Sequence, residues 1–317
     1  MEWLANLSAA ALLFSLLMYM MLDGTDLGVG MLFACFKQEE QKKPMVQSML
    51  PIWDANETWL VLLAGGMLAL FPATYALLFS SLYIPVFLML FSLFFRAMAL
   101  EYRGTATGGS KRWLDVLLPL TSALAAFCQG ACAGVVVSGD VSRGAFGWLS
   151  VYPLLSGFGL MAIYMLLGCC WIRWRIGEQV EERAGALAWL WLVLSLALFL
   201  TLQLLESTPW RRAWDLPLGK ALIALIALLW LTLLFSLLRA RPLTQLVVTL
   251  LLMVAVVLLL ATGLYPWLIP GVADLHNTAA TRITQGFVLT GIAFVMPVTL
   301  IYHSWAFWVF RGQVEKS

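Results

Sequence analysis

The chain has 317 residues, of which 62% are hydrophobic and only 11% are charged, and its net charge is +2. A soluble domain carries charges on about a quarter of its residues, so this composition excludes a soluble protein. The small net charge and the lack of a basic run give no indication of nucleic-acid binding.

Apolar runs of about twenty residues recur along the chain, and that is the length at which a helix crosses a bilayer. Backbone polar groups inside lipid must be satisfied within the segment, so these runs are helices. The first run lacks a signal peptide's positive start and cleavage site, so we interpret it as a membrane helix. The predicted spans are 7–35, 52–71, 76–98, 115–137, 151–172, 185–205, 217–237, 243–263 and 284–309. The sequence therefore predicts an all-α integral membrane protein with about nine transmembrane helices, as one polytopic domain over 1–317.

The distribution of Lys and Arg predicts the orientation of the chain. If the N-terminus lies outside, fourteen of the 19 basic residues fall on the cytoplasmic side, as the positive-inside rule requires. The fourteen are Lys37, Lys42, Lys43, Arg96, Arg103, Lys111, Arg112, Arg173, Arg175, Arg183, Arg239, Arg241, Arg311 and Lys316. The other five are Arg143, Arg211, Arg212, Lys220 and Arg282. This bias predicts a cytoplasmic C-terminus and supports an odd number of spans.

Carboxylates inside the first two predicted spans are the most informative residues. Asp23 and Asp26 lie in the first span, and Asp54 and Glu57 open the second span. Each pair is spaced i, i+3 and so shares a helix face. A charge at mid-bilayer costs about 3 kcal/mol, so these acids need partners or a watery cavity. They predict a proton or cation path; the alternative is a structural role in which the acids hold helices together.

Polar neighbours of these acids are candidate structural or electrostatic partners. Arg96, near the end of the third span, either pairs with a buried acid or extends to the membrane interface. Asn56 lies between the two acids of the second span, and Trp53 and Glu101 flank the same region. Asp54 also has an alternative interpretation as a helix N-cap, because Pro51 precedes it.

Histidine and cysteine are too sparse to indicate a cofactor site in this chain. The only histidines are His276 and His303, whereas a protein that ligates several haems itself needs more axial ligands. The five cysteines lie in apolar stretches without a CxxC pair, which favours buried small side chains. Phosphate-binding loops, dinucleotide fingerprints and zinc-ligand spacings do not occur. Gln129 and Gln203, which are polar residues inside spans, are predicted to form hydrogen bonds between helices.

A family resemblance rests on motifs spread along nearly the whole chain, most densely over 20–103. The motifs are Asp23-Gly-Thr-Asp26-Leu-Gly-Val-Gly30, Pro51-Ile-Trp53-Asp54-Ala-Asn56-Glu57-Thr-Trp59, Gly65-Gly66, Phe71-Pro72-Ala-Thr-Tyr75, Phe95-Arg96, Glu101-Tyr102-Arg103, Gln129-Gly130 with Gly134, Tyr164-Met-Leu-Leu-Gly168, Tyr265-Pro266, Pro270, Pro297 and Tyr302. Together they resemble subunit II of cytochrome bd quinol oxidase. Thr25 and Ala55 depart from the aromatic residue and the glycine usual there, and the loop after Pro270 departs further. The short chain looks most like the compact branch often called cyanide-insensitive oxidases.

The resemblance implies a concrete function. The family's holoenzyme oxidises ubiquinol and reduces dioxygen to water in the bacterial inner membrane. Subunit I carries haem b, haem d and the quinol site, so the resemblance implies no cofactor ligated by this chain. Subunit II has nine spans arranged as two four-helix bundles and one peripheral helix. It packs against subunit I, stabilises the haem assembly and is accompanied in some members by small single-helix subunits and lipid.

The resemblance also implies that protons reach the oxygen-reducing haem from the cytoplasm, with the acids matching Asp54 and Asp26 as path residues. Two other hypotheses remain open at this point. One is a secondary transporter that couples ions to a solute through intramembrane acids, although clear inverted repeats are not evident. The other is a purely structural subunit.

Overall fold

The computed structural model describes residues 2–205 and 207–309. Within these residues the chain forms eleven α-helices. They are α1 Glu2–Leu32, α2 Glu39–Met49, α3 Trp53–Leu70, α4 Pro72–Arg103, α5 Gly108–Ser138, α6 Val151–Arg175, α7 Glu181–Leu205, α8 Ser207–Asp215, α9 Pro217–Leu238, α10 Pro242–Leu264 and α11 Arg282–Val309. Arg311 and Lys316, which contribute to the predicted orientation, lie outside the described residues.

Nine of these helices occupy the positions of the nine predicted spans. Eight of the nine are long and apolar enough to cross a membrane. The exception is α3, whose 18 residues reach about 27 Å. Its first two turns carry Asp54, Asn56 and Glu57, which lower the mean hydropathy of a helix that is otherwise apolar. The predicted all-α membrane fold is confirmed, and the second span is the polar one.

Proline marks the start of three membrane helices. Phe71 adopts a non-helical conformation (φ −137°, ψ 61°), and Pro72 directly behind it begins α4. The predicted spans 52–71 and 76–98 leave a gap of four residues, but in the structure Phe71 alone separates the two helices. The first helical position needs no intrahelical N–H donor, so proline is well suited to it. Pro217 and Pro242 begin α9 and α10 in the same way.

Short structured segments lie next to or between the membrane helices. The helix α2 follows α1, and α8 precedes α9. Three 3₁₀ turns span Phe33–Cys35, Val141–Leu149 and Gly177–Gln179. Between α10 and α11, β1 (Trp267–Ile269) pairs antiparallel with β2 (Ala273–Asp274). These elements are too short to show a periodic pattern in the sequence.

The helix contacts divide the membrane helices into two groups of four and a ninth. In the first group, α1 packs on α3, α3 on α4, α4 on α5, and α5 back on α1. In the second, α6 packs on α7 and α10, and α10 packs on α9. The helix α6 joins the groups through α1 and α5, and α11 lies on α3 and α1. This arrangement agrees with two four-helix bundles and one peripheral helix.

Glycines bring the two bundles together at a backbone contact between α1 and α6. A Cβ atom on Gly168 would lie 2.5 Å from the carbonyl carbon of Gly28. A Cβ on Gly28 would overlap the backbone carbonyl of Tyr164, and it would lie 2.8 Å from that carbonyl carbon. Membrane helices associate closely where small residues let their backbones meet. The contact holds the acidic stretch of α1 against the second bundle.

Candidate functional site

A buried polar cluster lies inside the first bundle, where α1, α3 and α4 meet. Its members are Asp23, Asp26, Asn56 and Arg96. None of these residues is more than 1% exposed. Because the four residues face the protein interior, they are shielded from lipid, as the cost of intramembrane charge requires.

The cluster is connected by hydrogen bonds and ion pairs among its members. Arg96 Nη1 donates a hydrogen bond to Asp23 Oδ1 at 2.6 Å. Asn56 Nδ2 donates to Asp26 Oδ2 at 2.8 Å. Arg96 Nη2 lies 3.8 Å from the same Asp26 oxygen, which is an ion pair without a hydrogen bond. Arg96 therefore contacts both acids of α1 and does not extend to the membrane interface.

The cluster has an excess of acidic groups and contains buried polar atoms without hydrogen-bond partners among the described residues. Two carboxylates face one guanidinium, so with both acids ionised the cluster carries one uncompensated negative charge. Asp23 Oδ2, Asn56 Oδ1, Arg96 Nε and Arg96 Nη2 have no hydrogen-bond partner among the described residues. Buried polar atoms are almost always paired. The cluster therefore has the capacity to bind protons or water.

The acids of α3 lie between this cluster and the surface. Asp54 is exposed and Glu57, one turn further along α3, is half-buried. Glu57 interacts electrostatically with Asp23, Arg96 and Asp54. The four predicted acids thus form a series from the surface to the interior. The N-cap interpretation of Asp54 is wrong, because α3 begins at Trp53 and the N-cap is Ile52, without a side-chain bond.

The remaining predicted partners contact each other. Trp53 Nε1 donates a hydrogen bond to Glu101 Oε1 at 3.2 Å, on the exposed surface where α3 begins and α4 ends. This bond joins the two helices that border the exposed acid Asp54. Trp53 and Glu101 therefore lie near the entrance of the acid series.

Three further residues belong to the site but were not predicted as a group. Gln129 of α5 donates to the Tyr19 hydroxyl at 2.8 Å and accepts from the Tyr164 hydroxyl at 3.1 Å. Tyr19 precedes Asp23 by one turn of α1, so the two side chains share a face. The sequence predicts an interhelical bond for Gln129, but it identifies Tyr164 only as part of a family motif and does not single out Tyr19. Gln203, predicted likewise, accepts a hydrogen bond from Trp214 Nε1 of α8 at 3.4 Å.

A second ionic cluster lies at the Lys/Arg-rich end of the first bundle. Arg103 at the end of α4 binds both carboxylate oxygens of Glu39, at 3.1 and 2.9 Å. Arg103 Nε also donates to Asp115 at 2.7 Å, and Lys42 binds Asp115 at 2.9 Å. Lys111 binds Glu39 at 2.8 Å. These pairs attach α2 to α4 and α5.

The cluster around Glu39 predicts a loss of stability in acid. Burial raises the pKa of Glu39, but hydrogen bonds from Arg103 and Lys111 lower it by more, so the pKa lies below its ordinary value. A carboxyl group whose pKa is lower in the folded than in the unfolded protein stabilises the fold at pH values above its unfolded pKa, which is about 4.3 for Glu. This stabilisation is lost as the pH falls through the pKa of the folded state. We expect Glu39→Gln to lower the melting temperature at pH 6 and to have a smaller effect near pH 3.

Thermal unfolding of the detergent-solubilised complex at both pH values measures this effect. The matched control is Glu40→Gln, which changes the neighbouring exposed acid. Equal effects of Glu39→Gln on the melting temperature at the two pH values would show that the ionised Glu39 carboxylate does not stabilise the fold.

The two histidines lie in different parts of the fold. His276 follows β2, and His303 is buried in α11 with its ring 6.0 Å from that of Trp59. His303 Nδ1 lies 2.9 Å from the backbone oxygen of Thr299. Over residues 2–205 and 207–309, no group of three or more His, Cys, Asp or Glu residues is arranged to hold a metal ion.

Comparison with known proteins identifies the family. A model of the family described as cytochrome bd terminal oxidase subunit II matches residues 4–310. Subunit 2 of the cytochrome bd-I ubiquinol oxidase of Escherichia coli K12 is 25% identical, over 93% of this chain and 91% of that protein. Subunit 2 of the cytochrome bd ubiquinol oxidase of Bacillus subtilis is 29% identical over 54% of this chain and 53% of that protein.

A solved structure shows the same fold. A chain of bd oxidase from Geobacillus thermodenitrificans matches with a TM-score of 0.79, covering 98% of this chain and 99% of that chain at 16% identity. The family match extends over almost the whole sequence and favours an oxidase subunit over a transporter. This chain therefore belongs to the family of cytochrome bd terminal oxidase subunit II, and that membership places it in a quinol oxidase complex.

Proposed function

We propose that this chain stabilises the haem-bearing subunit I of a cytochrome bd-type ubiquinol oxidase and supplies a cytoplasmic proton path to it. The haems b and d belong to subunit I, and the complex oxidises quinol while reducing dioxygen to water. The path begins at Asp54, and Glu57, Asp26 and Asp23 are its relay residues or structural partners. The observation that supports it is the continuous change from an exposed acid to fully buried acids along α3 and α1.

The distribution of charge along the helices supports access from one side only. Beyond Glu57, α3 continues from Thr58 to Leu70 without a charged residue, and α1 has none between Trp3 and Leu22. The Trp59 ring packs edge-on against Phe14 at 5.8 Å, on the side of the cluster away from Asp54. Along α1 and α3, the charged side chains between the two membrane faces therefore lie in the cluster or on its Asp54 side.

The entrance is proposed to face the bacterial cytoplasm. The end of the bundle that contains Asp54 also contains Lys42, Arg103 and Lys111, and basic residues concentrate on the cytoplasmic side of inner-membrane proteins. This orientation places the N-terminus outside and the C-terminus in the cytoplasm.

We propose that subunit I packs on the outer face of α3 and α11. A groove between these helices is lined by side chains such as Val61, Phe287 and Phe294. Gly65 on α3 and Gly286 and Gly291 on α11 have open space around them within the described chain. Small residues on a lipid-facing surface allow another helix to approach closely. Lipid and small single-helix subunits are further proposed partners of the complex.

Neutralising the acids of the path tests this function. We expect Asp54→Asn and Asp26→Asn each to lower oxygen consumption by about tenfold or more, since general acid–base groups typically contribute at least a hundredfold to proton transfer. The haem spectrum of the purified complex is expected to remain, because neither variant removes a haem ligand. Oxygen consumption with ubiquinol and the optical spectrum of the same preparation are the measurements.

Asp215→Asn is the matched control, because Asp215 is an exposed acid at the end of α8. If both path variants assemble and keep full turnover, the proton path is wrong. If they lose the haem spectrum instead, the acids have a structural role. The partner is tested independently by purifying this chain from detergent extracts. Recovery of a red-brown, haem-containing complex that includes subunit I supports the proposed partner.

A further inference from the structure

A chain of hydrogen bonds joins the acidic cluster to the second bundle. It consists of Tyr19 on α1, Gln129 on α5 and Tyr164 on α6, connected by bonds of 2.8 and 3.1 Å. Tyr164 is fully buried and Tyr19 is 2% exposed. The three residues form a polar arm in an otherwise apolar contact between helices. The hydrogen bonds of the arm link α1, α5 and α6, because polar side chains inside a membrane bundle pair across helices.

The arm is directed at Asp23. Tyr19 and Tyr164 both interact electrostatically with Asp23. Tyr164 lies against Gly24, the residue after Asp23; a Cβ atom there would come within 2.7 Å of its ring. Gln129 Nε2 donates to the Tyr19 oxygen, which leaves the Tyr19 hydroxyl proton free to point elsewhere. Asp23 lies one helical turn from Tyr19, and its Oδ2 has no hydrogen-bond partner among the described residues.

The two buried acids have different partners. Asp23 is joined to Arg96 by a charge-assisted bond of 2.6 Å, and such bonds are about twice as strong as neutral ones. Asp26 lies 3.8 Å from Arg96, and its hydrogen bond comes from the neutral amide of Asn56. Protonating Asp23 would remove the charge that strengthens this bond and leave Arg96 without its nearest counter-ion. Protonating Asp26 disturbs only the weaker contacts.

We propose that the two acids have separate roles: Asp23 is the fixed counter-ion of Arg96, positioned by the Tyr19–Gln129–Tyr164 arm, and Asp26 is the buried acid that exchanges protons. The exchange at Asp26 converts its carboxylate to a carboxylic acid and back, with no change in oxidation state. This division rests on the proposed proton path, whereas the counter-ion role of Asp23 is independent of it.

A comparison of Asp23→Asn with Asp26→Asn tests the division. We expect Asp26→Asn to give a normal yield of haem-loaded complex with about tenfold lower turnover per haem and a larger solvent deuterium isotope effect. We expect Asp23→Asn to lower the yield of assembled complex about tenfold, because Arg96 loses its closest partner in the interior. Its remaining complex is expected to lose less turnover per haem than Asp26→Asn.

A second substitution separates a counter-ion role from a failure to fold. Removing both members of a buried ion pair is far less costly than removing one. Asp23→Asn combined with Arg96→Gln is therefore expected to give more assembled complex than Arg96→Gln alone, because one of the two acids left without their cation is then removed. No recovery in the double variant overturns the counter-ion role.

The arm is tested through Tyr19→Phe, which removes one hydroxyl and keeps the ring. This substitution is expected to lower the melting temperature of the wild-type complex but not that of the Asp23→Asn complex. The reason is that the Tyr19 hydroxyl stabilises the protein by positioning the Asp23 carboxylate. Tyr265→Phe, on an exposed tyrosine of the α10–α11 connection, is the matched control. Equal effects in both backgrounds overturn the positioning role.

Two outcomes distinguish this inference from the proposed path. If Asp54→Asn and Asp26→Asn keep full turnover, the path fails, and the assembly results still decide the role of Asp23. In the second outcome the path holds, but Asp23→Asn assembles normally and shows the same loss of turnover and the same isotope effect as Asp26→Asn. Only the division of roles between the two acids is then overturned.

Discussion

Replacing Arg96 with glutamine is expected to abolish most assembly of the oxidase complex. Arg96 is 1% exposed and is the only cation in contact with the carboxylates of Asp23 and Asp26 among the described residues. Removing one partner of a buried ion pair typically costs about 3–5 kcal/mol, because the remaining charge stays buried and uncompensated. Here two acids lose their cation, so this effect is among the largest that one substitution in the chain should produce.

The yield of haem-loaded complex from detergent extracts and its melting temperature measure this prediction. Arg112→Gln is the matched control, since Arg112 is exposed at the start of α5. A stable Arg96→Gln complex in normal yield would show that the carboxylates are compensated without Arg96. The geometry of the buried cluster would then be wrong.

Replacing Gly28 with alanine is the second substitution for which a large loss is expected. Alanine is favoured over glycine in a helix by about 1 kcal/mol. At Gly28, however, the added methyl group would overlap the backbone carbonyl of Tyr164, and the helix backbones would have to separate. Overpacking of this kind costs about 1–3 kcal/mol and occasionally more. Because a backbone cannot rotate away as a side chain does, we expect destabilisation to exceed the helix gain.

Gly109→Ala provides the same chemical change without the clash. Apart from its own neighbours in the helix, a Cβ at Gly109, in the first turn of α5, would meet no atom of the described residues within 4 Å. This control is expected to leave the melting temperature unchanged or to raise it slightly, whereas Gly28→Ala lowers it and reduces the yield of complex. Equal melting temperatures for the two variants would exclude a tight α1–α6 contact at Gly28.

Much of the fold follows from patterns that are local in the sequence. Apolar runs of about twenty residues predict the positions of nine membrane helices, since the bilayer imposes a length that each segment meets by itself. Boundaries are less predictable. Pro72 serves as the first helical residue, and the connection between α3 and α4 is only Phe71. Proline stops a preceding helix and starts a following one equally well, so the sequence does not show which it does.

The acids of the site could also be found from the sequence, because a charge inside a membrane span is rare and expensive. The roles of their neighbours could not. Arg96 is 73 residues from Asp23 along the chain, and an arginine near a helix end serves equally well at an interface. Nothing in the sequence pairs Tyr19 with Tyr164, and the two meet only because α5 places Gln129 between them. Only the packing of helices decides these contacts.

The sequence by itself determined the class of protein, the approximate spans and the four carboxylates, because hydropathy and buried charge are properties of each segment. The tertiary structure decided which acid pairs with Arg96, which acids lie at the surface and which residues position Asp23. These depend on the rotation and depth of each helix relative to its neighbours. Those quantities come from side-chain and glycine packing between segments that are distant in the chain.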